Sequence, residues 1–133
     1  MTRRELREHI FRILFTRDFD SNDAGEQADL YLNDVDGLTQ EEADYIRSKT
    51  VRIWQMIPEL DEMIGAESVG WTVERMGTVD RTLLRLALYE MKYEDDVPAG
   101  VAINDAVELA KKYGTDSSYS FVNGILAKLA IEE

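Results

Sequence analysis

An all-α fold, a compact single-domain bundle of about seven helices spanning residues 1–133, is predicted by three observations. Apolar residues recur at steps of three and four in one segment after another. No segment sustains the alternation of a strand between turn signals. Capping residues, glycines and two prolines punctuate the helical patterns at intervals suited to short connections. At 133 residues the chain has the length of one ordinary domain, enough to bury a single core.

Arg4 to Asp18 reads as an amphipathic helix. Leu6, Ile10, Ile13 and Leu14 share one arc, and Arg4, Glu8, Phe11 and Phe15 form an adjoining stripe that puts Phe15 near the edge of the buried face. A polar loop from Asp20 to Gly25 precedes a short helix over Glu26 to Leu32. Thr39 with Glu42 forms a capping box. It opens the longest periodic run, Ala43, Ile46, Thr50, Ile53, Ile57, Leu60 and Ile64, a coiled-coil-like seam. Pro58 predicts two helices or one kinked helix there, and Gly65 to Gly70 ends the run. Trp71 to Met76 reads as a short helical segment stopped by Gly77, with Trp54 and Trp71 in or at the edge of the core.

The organising helix is Val79 to Glu94. Val79, Leu83, Leu86 and Ala87 form one stripe and Leu84, Leu88 and Met91 a second beside it, an apolar arc wide enough for the middle of a protein. Thr78 is expected as its N-cap, Asp80 complements the helix dipole, and Pro98 stops it. Val101, Ile103, Ala106, Val107 and Ala110 give the next face, ended by Gly114 in the C′ role. The last helix starts near Asp116, Ser117 or Ser118 and buries Phe121, Val122, Ile125, Leu126 and Leu129.

The formal net charge is −12, which argues against a general nucleic-acid binder. That average conceals an asymmetry. Through Arg17 there are five arginines against two glutamates, a local +3, so the remainder carries −15. There are no cysteines, which removes disulfides and thiolate metal sites. No apolar run approaches a membrane span and no signal-peptide core follows the N-terminus, so a soluble, cytoplasmic protein without membrane association is expected.

Catalysis is poorly served. The single histidine, His9, lies in a helix beside arginines and reads as a surface residue. The pairs Asp34/Asp36, Glu41/Glu42 and Asp95/Asp96 fall in loops or helix starts, where solvation and capping account for them. No phosphate-binding glycine loop occurs. No metal and no cofactor is expected, nor any enzymatic activity. Arg3, Arg4 and Arg7 cluster where the first helix begins, with Phe11 and Phe15 alongside: guanidinium forks suit phosphates, and aromatic rings suit unpaired bases. The same cluster also reads as an ordinary cationic helix start paired with Glu5 and Glu8. Asp80 and Arg81 fit either a protein partner or plain dipole complementarity.

Three ordered motifs, LLRLALYE at residues 83–90, VAINDAVELAKKYG at 101–114 and FVNGIL at 121–126, together with the opening RRELREHIFRILF at 3–15, resemble the NusB family of bacterial transcription antitermination factors. The resemblance is close from Trp71 onwards and weaker through residues 20–70. It implies a helical RNA-binding adaptor that forms a heterodimer with the ribosomal protein NusE. That pair binds single-stranded boxA RNA and helps assemble an antitermination complex on RNA polymerase, notably in ribosomal RNA operons. By position, Arg3, Arg4 and Arg7 match the family's RNA-contacting start, with Phe15 in place of a common tyrosine. Ser117, Ser118 and Phe121 match a second RNA-contacting part, and Glu74 and Asp80 match acidic partner-binding positions. On this reading Arg7→Ala weakens RNA binding and leaves the fold intact. Two other readings stay open: an interaction module or homodimer joined through the Ile46–Ile64 seam without specific RNA binding, and a stand-alone relative of the RNA-binding domain of RNA cytosine methyltransferases.

Overall fold

Residues 1–131 are described by the structure, a computed structural model, as helices, 3₁₀ turns and connections with no strand among them. The chain divides into two compact units, the first comprising residues 1–56 and the second beginning at Ile57.

The first unit contains α1 (Arg3–Phe15), a 3₁₀ turn (Thr16–Asp18), α2 (Ala24–Asn33) and α3 (Gln40–Gln55), with α1 and α2 each packed on α3. Every one of these helices opens on a complete capping box: Thr2 with Glu5, Asp23 with Glu26, and Thr39 with Glu42. The Asp23 box starts the second helix two residues before the sequence pattern does. Ile10, Ile13, Ala28, Ile46 and Ile53 are fully buried and form the centre of this unit.

The second unit contains α4 (Ile57–Glu67), a 3₁₀ turn (Val73–Arg75), α5 (Thr78–Tyr93), α6 (Ala99–Tyr113) and α7 (Ser118–Ile131). Pro58 lies in the first turn of α4, where its missing N–H costs no helical hydrogen bond, so the expected break takes the form of two helices. α5 packs against α4, α6 and α7 and is buried continuously from Thr82 to Glu90. The organising role read from its two stripes holds.

Several local expectations are corrected. Gly77, not Thr78, is the N-cap of α5. The Arg81 guanidinium donates to the Glu74 and Met76 carbonyls, both at 3.3 Å, and approaches the Thr78 hydroxyl at 3.5 Å, so that hydroxyl faces a side chain instead of the helix start. Gly114 is the C-cap of α6 with extended backbone (φ −95°, ψ −166°), not a left-handed C′ residue. Glycine is needed there for space, since a Cβ would lie 2.7 Å from the Ala110 carbonyl and collide with Ser118. The buried face of α6 is Ala102, Asp105, Ala106, Leu109 and Ala110, while Val101 is exposed. Alanines let neighbouring helices approach closely, which hydropathy alone does not weigh.

Trp71 is 54% exposed and so lies outside the core. Phe121 is only half-buried. The periodic seam is consumed within the chain: Ile46, Thr50, Ile53, Ile57, Leu60 and Ile64 are each at most 2% exposed. A homodimer through that seam has no surface to use.

Candidate nucleic-acid interface

The capping box of Thr2 and Glu5 fixes the start of α1 and leaves Arg3 and Arg4 exposed in its first turn. Arg7, one turn on, is only 2% exposed. Its burial corrects the expectation that it presents a guanidinium to solvent. Arg7→Ala is therefore expected to lower stability by about 1–3 kcal/mol through lost packing of the side-chain stem. An unchanged urea midpoint would show that the site tolerates the truncation. Binding losses in that variant would not by themselves report a phosphate contact.

Phe15 closes α1, about 18 Å along the helix from Arg3 at 1.5 Å per residue, and is half-buried. Its ring lies between Phe11, with centroids 6.1 Å apart, and Phe19, at 5.1 Å. Phe19 is 68% exposed and extends this aromatic row into the 3₁₀ turn. The i, i+4, i+8 spacing of the three phenylalanines was the signal for it, hidden because the row outruns the helix. His9 hydrogen-bonds through Nδ1 to the Tyr31 hydroxyl. Burial pushes its pKa below the ordinary value, and the nearby Arg12 charge adds to that.

In the second unit the turn from Gly114 to Ser118 sets up α7. Ser118 is 2% exposed, and its hydroxyl accepts a hydrogen bond from the Thr115 backbone N–H at 3.0 Å. That local duty corrects its expected place on a binding surface. Ser117 is exposed, and its carbonyl accepts from the Phe121 N–H and the Ser120 hydroxyl, both at 3.2 Å. Phe121 meets Trp71 edge to face, with centroids 6.4 Å apart and planes at 74°. Trp71, Phe121 and Ser117 line an open cleft of about 600 Å³ together with Arg75, Met76, Gly77, Asp80, Thr115 and Ser120.

Trp71 also walls a second groove, which holds Asp61, Glu62 and Glu74. The two expected partner-binding residues thus lie on different sides of it: Glu74 is exposed in the acidic groove and Asp80 half-buried in the aromatic one. Ser117, Phe121 and Asp80 come together within this unit. Trp71 and Arg75 join them there, although the sequence pattern puts Trp71 in or at the edge of the core and gives Arg75 no role.

No group of three or more histidines and carboxylates positioned to hold a metal occurs among the described residues, and none of their helices is long and apolar enough to cross a membrane.

An all-helical scaffold whose candidate side chains sit at helix starts and along aromatic clefts defines a class of small binding protein. Comparison with known proteins makes that class specific. The NusB family profile matches residues 4–130, and the chain belongs to the NusB family. The transcription antitermination protein NusB of Lachnoclostridium phytofermentans is 47% identical over 130 residues, covering 97% of this chain and 98% of its own. Among solved structures, T. maritima NusB superposes with a TM-score of 0.89 at 33% identity, over 100% of this chain and 93% of that one. A chain from the complex of antitermination factors NusB and NusE with dsRNA reaches a TM-score of 0.88 at 24% identity, over 98% of this chain and 97% of that one, a likeness of fold.

Proposed function

We propose that this protein is a non-enzymatic RNA-binding adaptor of transcription antitermination. It pairs with the ribosomal protein NusE, binds single-stranded boxA-type RNA and helps an antitermination complex assemble on RNA polymerase, notably in ribosomal RNA operons. The observation that carries this reading is membership of the NusB family across residues 4–130. The match runs through both compact units, in keeping with one functional NusB-like domain over residues 1–133. A role beside bacterial RNA polymerase places it in the cytoplasm.

Recognition proceeds without chemistry. Arg3 and Arg4 neutralise phosphates at the start of α1, Phe15 offers an aromatic face at its end, and Ser117 and Phe121 offer a hydroxyl and a ring at the start of α7. Glu74, exposed in the acidic groove, meets a basic partner, the counterpart expected by a chain of net charge −12, while Asp80 faces the aromatic cleft instead. The partner brings positive charge that this chain lacks, so the heterodimer is the functional unit.

Fluorescence anisotropy with a boxA-like single strand and a scrambled control, each with and without purified NusE, tests this reading. Selective binding strengthened by NusE is expected. Replacing Arg3 and Arg4 together with alanine should reduce the slope of log K against log salt by about 1.4, or 0.7 per lost single-strand phosphate contact. Equal binding of both strands in every setting would remove boxA recognition. An unchanged slope in a folded double variant would remove the two arginines from the interface.

A further inference from the structure

We propose that Trp71 is a nucleobase-stacking residue, and that the cleft it forms with Phe121 takes one unpaired, amino-bearing base of a single-stranded RNA; the inference rests on the RNA-binding reading above and adds to it a contact outside the expected set. Trp71 is 54% exposed on a segment held from several sides. Ser68 closes α4 by donating its hydroxyl to the Ile64 carbonyl at 2.7 Å, and the Trp71 N–H returns to the Ser68 carbonyl at 3.3 Å. Gly70 turns between them with φ +84°, a conformation costly for other residues. Val73 and Met76 anchor the following turn at 6% and 5% exposure, and Arg81 binds the carbonyls of Glu74 and Met76. A large ring displayed on so fixed a segment loses little conformational freedom when a ligand stacks on it.

The chemistry of the cleft selects the ligand. Trp71 and Phe121 stand nearly perpendicular, so a flat ring stacked on one of them meets the edge of the other. The rim is polar, with the Ser117 and Ser120 hydroxyls and the Asp80 carboxylate. A carboxylate there repels a phosphate but accepts hydrogen bonds from a base amino group. Arg75, exposed on the same rim, suits the phosphate that follows. An apolar side chain from a protein would fill the volume and leave that polar rim unused. The cleft also includes Ser117 and Phe121, the second part of the RNA surface, so an RNA strand already bound there reaches Trp71 without a detour.

The chain has two tryptophans, so a Trp54→Phe background isolates the emission of Trp71. In the full-length protein, purified NusE is added first and a boxA-like single-stranded RNA second. Quenching of Trp71 at the RNA step is expected. Emission that changes only at the NusE step would assign the cleft to protein and overturn the proposal. Trp71→Ala should weaken RNA binding roughly 5- to 150-fold, the range for loss of one base–aromatic stack. Trp71→Phe should recover most of that loss, and Trp71→Leu should not. Leucine binding as well as tryptophan would reduce the contact to apolar bulk and overturn stacking. Should Trp71→Ala bind RNA normally while the Arg3/Arg4 double variant does not, this inference fails and the broader reading stands. Absence of RNA binding by the parent protein overturns both.

Discussion

Truncating Leu86 to alanine is expected to destabilise the protein by about 2–5 kcal/mol, the range for deleting a large buried aliphatic side chain. Leu86 is 2% exposed and sits near the centre of the run from Thr82 to Glu90, in which every residue is buried. Its helix is packed on α4, α6 and α7, so a cavity left there is walled by elements already fixed against one another. Leu83, Leu84 and Leu88 are themselves 0–2% exposed and have no free volume into which to relax. The upper half of the range follows from that confinement, since the cost grows with the cavity that survives relaxation. Urea melts give the test: the midpoint should fall with the slope unchanged. A loss below about 1 kcal/mol would mean that α5 is not the centre of its unit. RNA binding below the lowered midpoint should persist, because Leu86 lines neither cleft beside Trp71.

That central helix was legible because its signal is redundant. Two apolar stripes side by side survive an error of a residue or two in register, whereas α6 carries a single stripe, of which Ala106 and Ala110 are buried but Val101 is not. There the residues fully buried are Ala102 and Ala110, with Asp105 between them at 6%, while Val101 is exposed at 41%. Hydropathy favours valine over alanine, but close helix approach favours alanine. The capping boxes at Thr2/Glu5 and Asp23/Glu26 carry the same sequence signature as the one at Thr39/Glu42, but no long periodic run follows them to single them out. The site divides in the same way. Arg3 and Arg7 are the same residue type one turn apart, and Ser117 and Ser118 are neighbours. In each pair packing exposes the first and buries the second. No composition or spacing rule separates them. Residue type puts Trp71 in or at the edge of the core, and only the turn at Gly70 with the anchors Val73 and Met76 shows how it is displayed.

Arg85, a charged residue buried within α5, carries the other large expected effect. Its guanidinium binds the Asp61 carboxylate in a two-pronged geometry, Nε to Oδ1 at 2.8 Å and Nη2 to Oδ2 at 2.9 Å, tying α5 to α4. The arginine side chain is 7% exposed and the aspartate 27%, so the cation is the more deeply buried partner. Asp61→Ala leaves a buried guanidinium without its carboxylate, a change that costs 3–5 kcal/mol for fully buried pairs; the partial exposure of Asp61 places the expected loss near the lower end, about 3 kcal/mol. Replacing both residues by apolar ones of similar volume, Asp61→Leu with Arg85→Met, should recover most of it, because no uncompensated charge then remains. Chemical melts of Asp61→Leu, Arg85→Met and the double variant that combines them close a mutant cycle. Strongly non-additive losses are expected, and additive ones would show that the pair is not coupled. Asp61 also lines the groove on the far side of Trp71. In the Trp54→Phe background, the Trp71 emission of Asp61→Ala therefore reports whether the displayed ring depends on this ion pair, and a red shift without loss of the cooperative melt would place the loosening in the segment between α4 and α5.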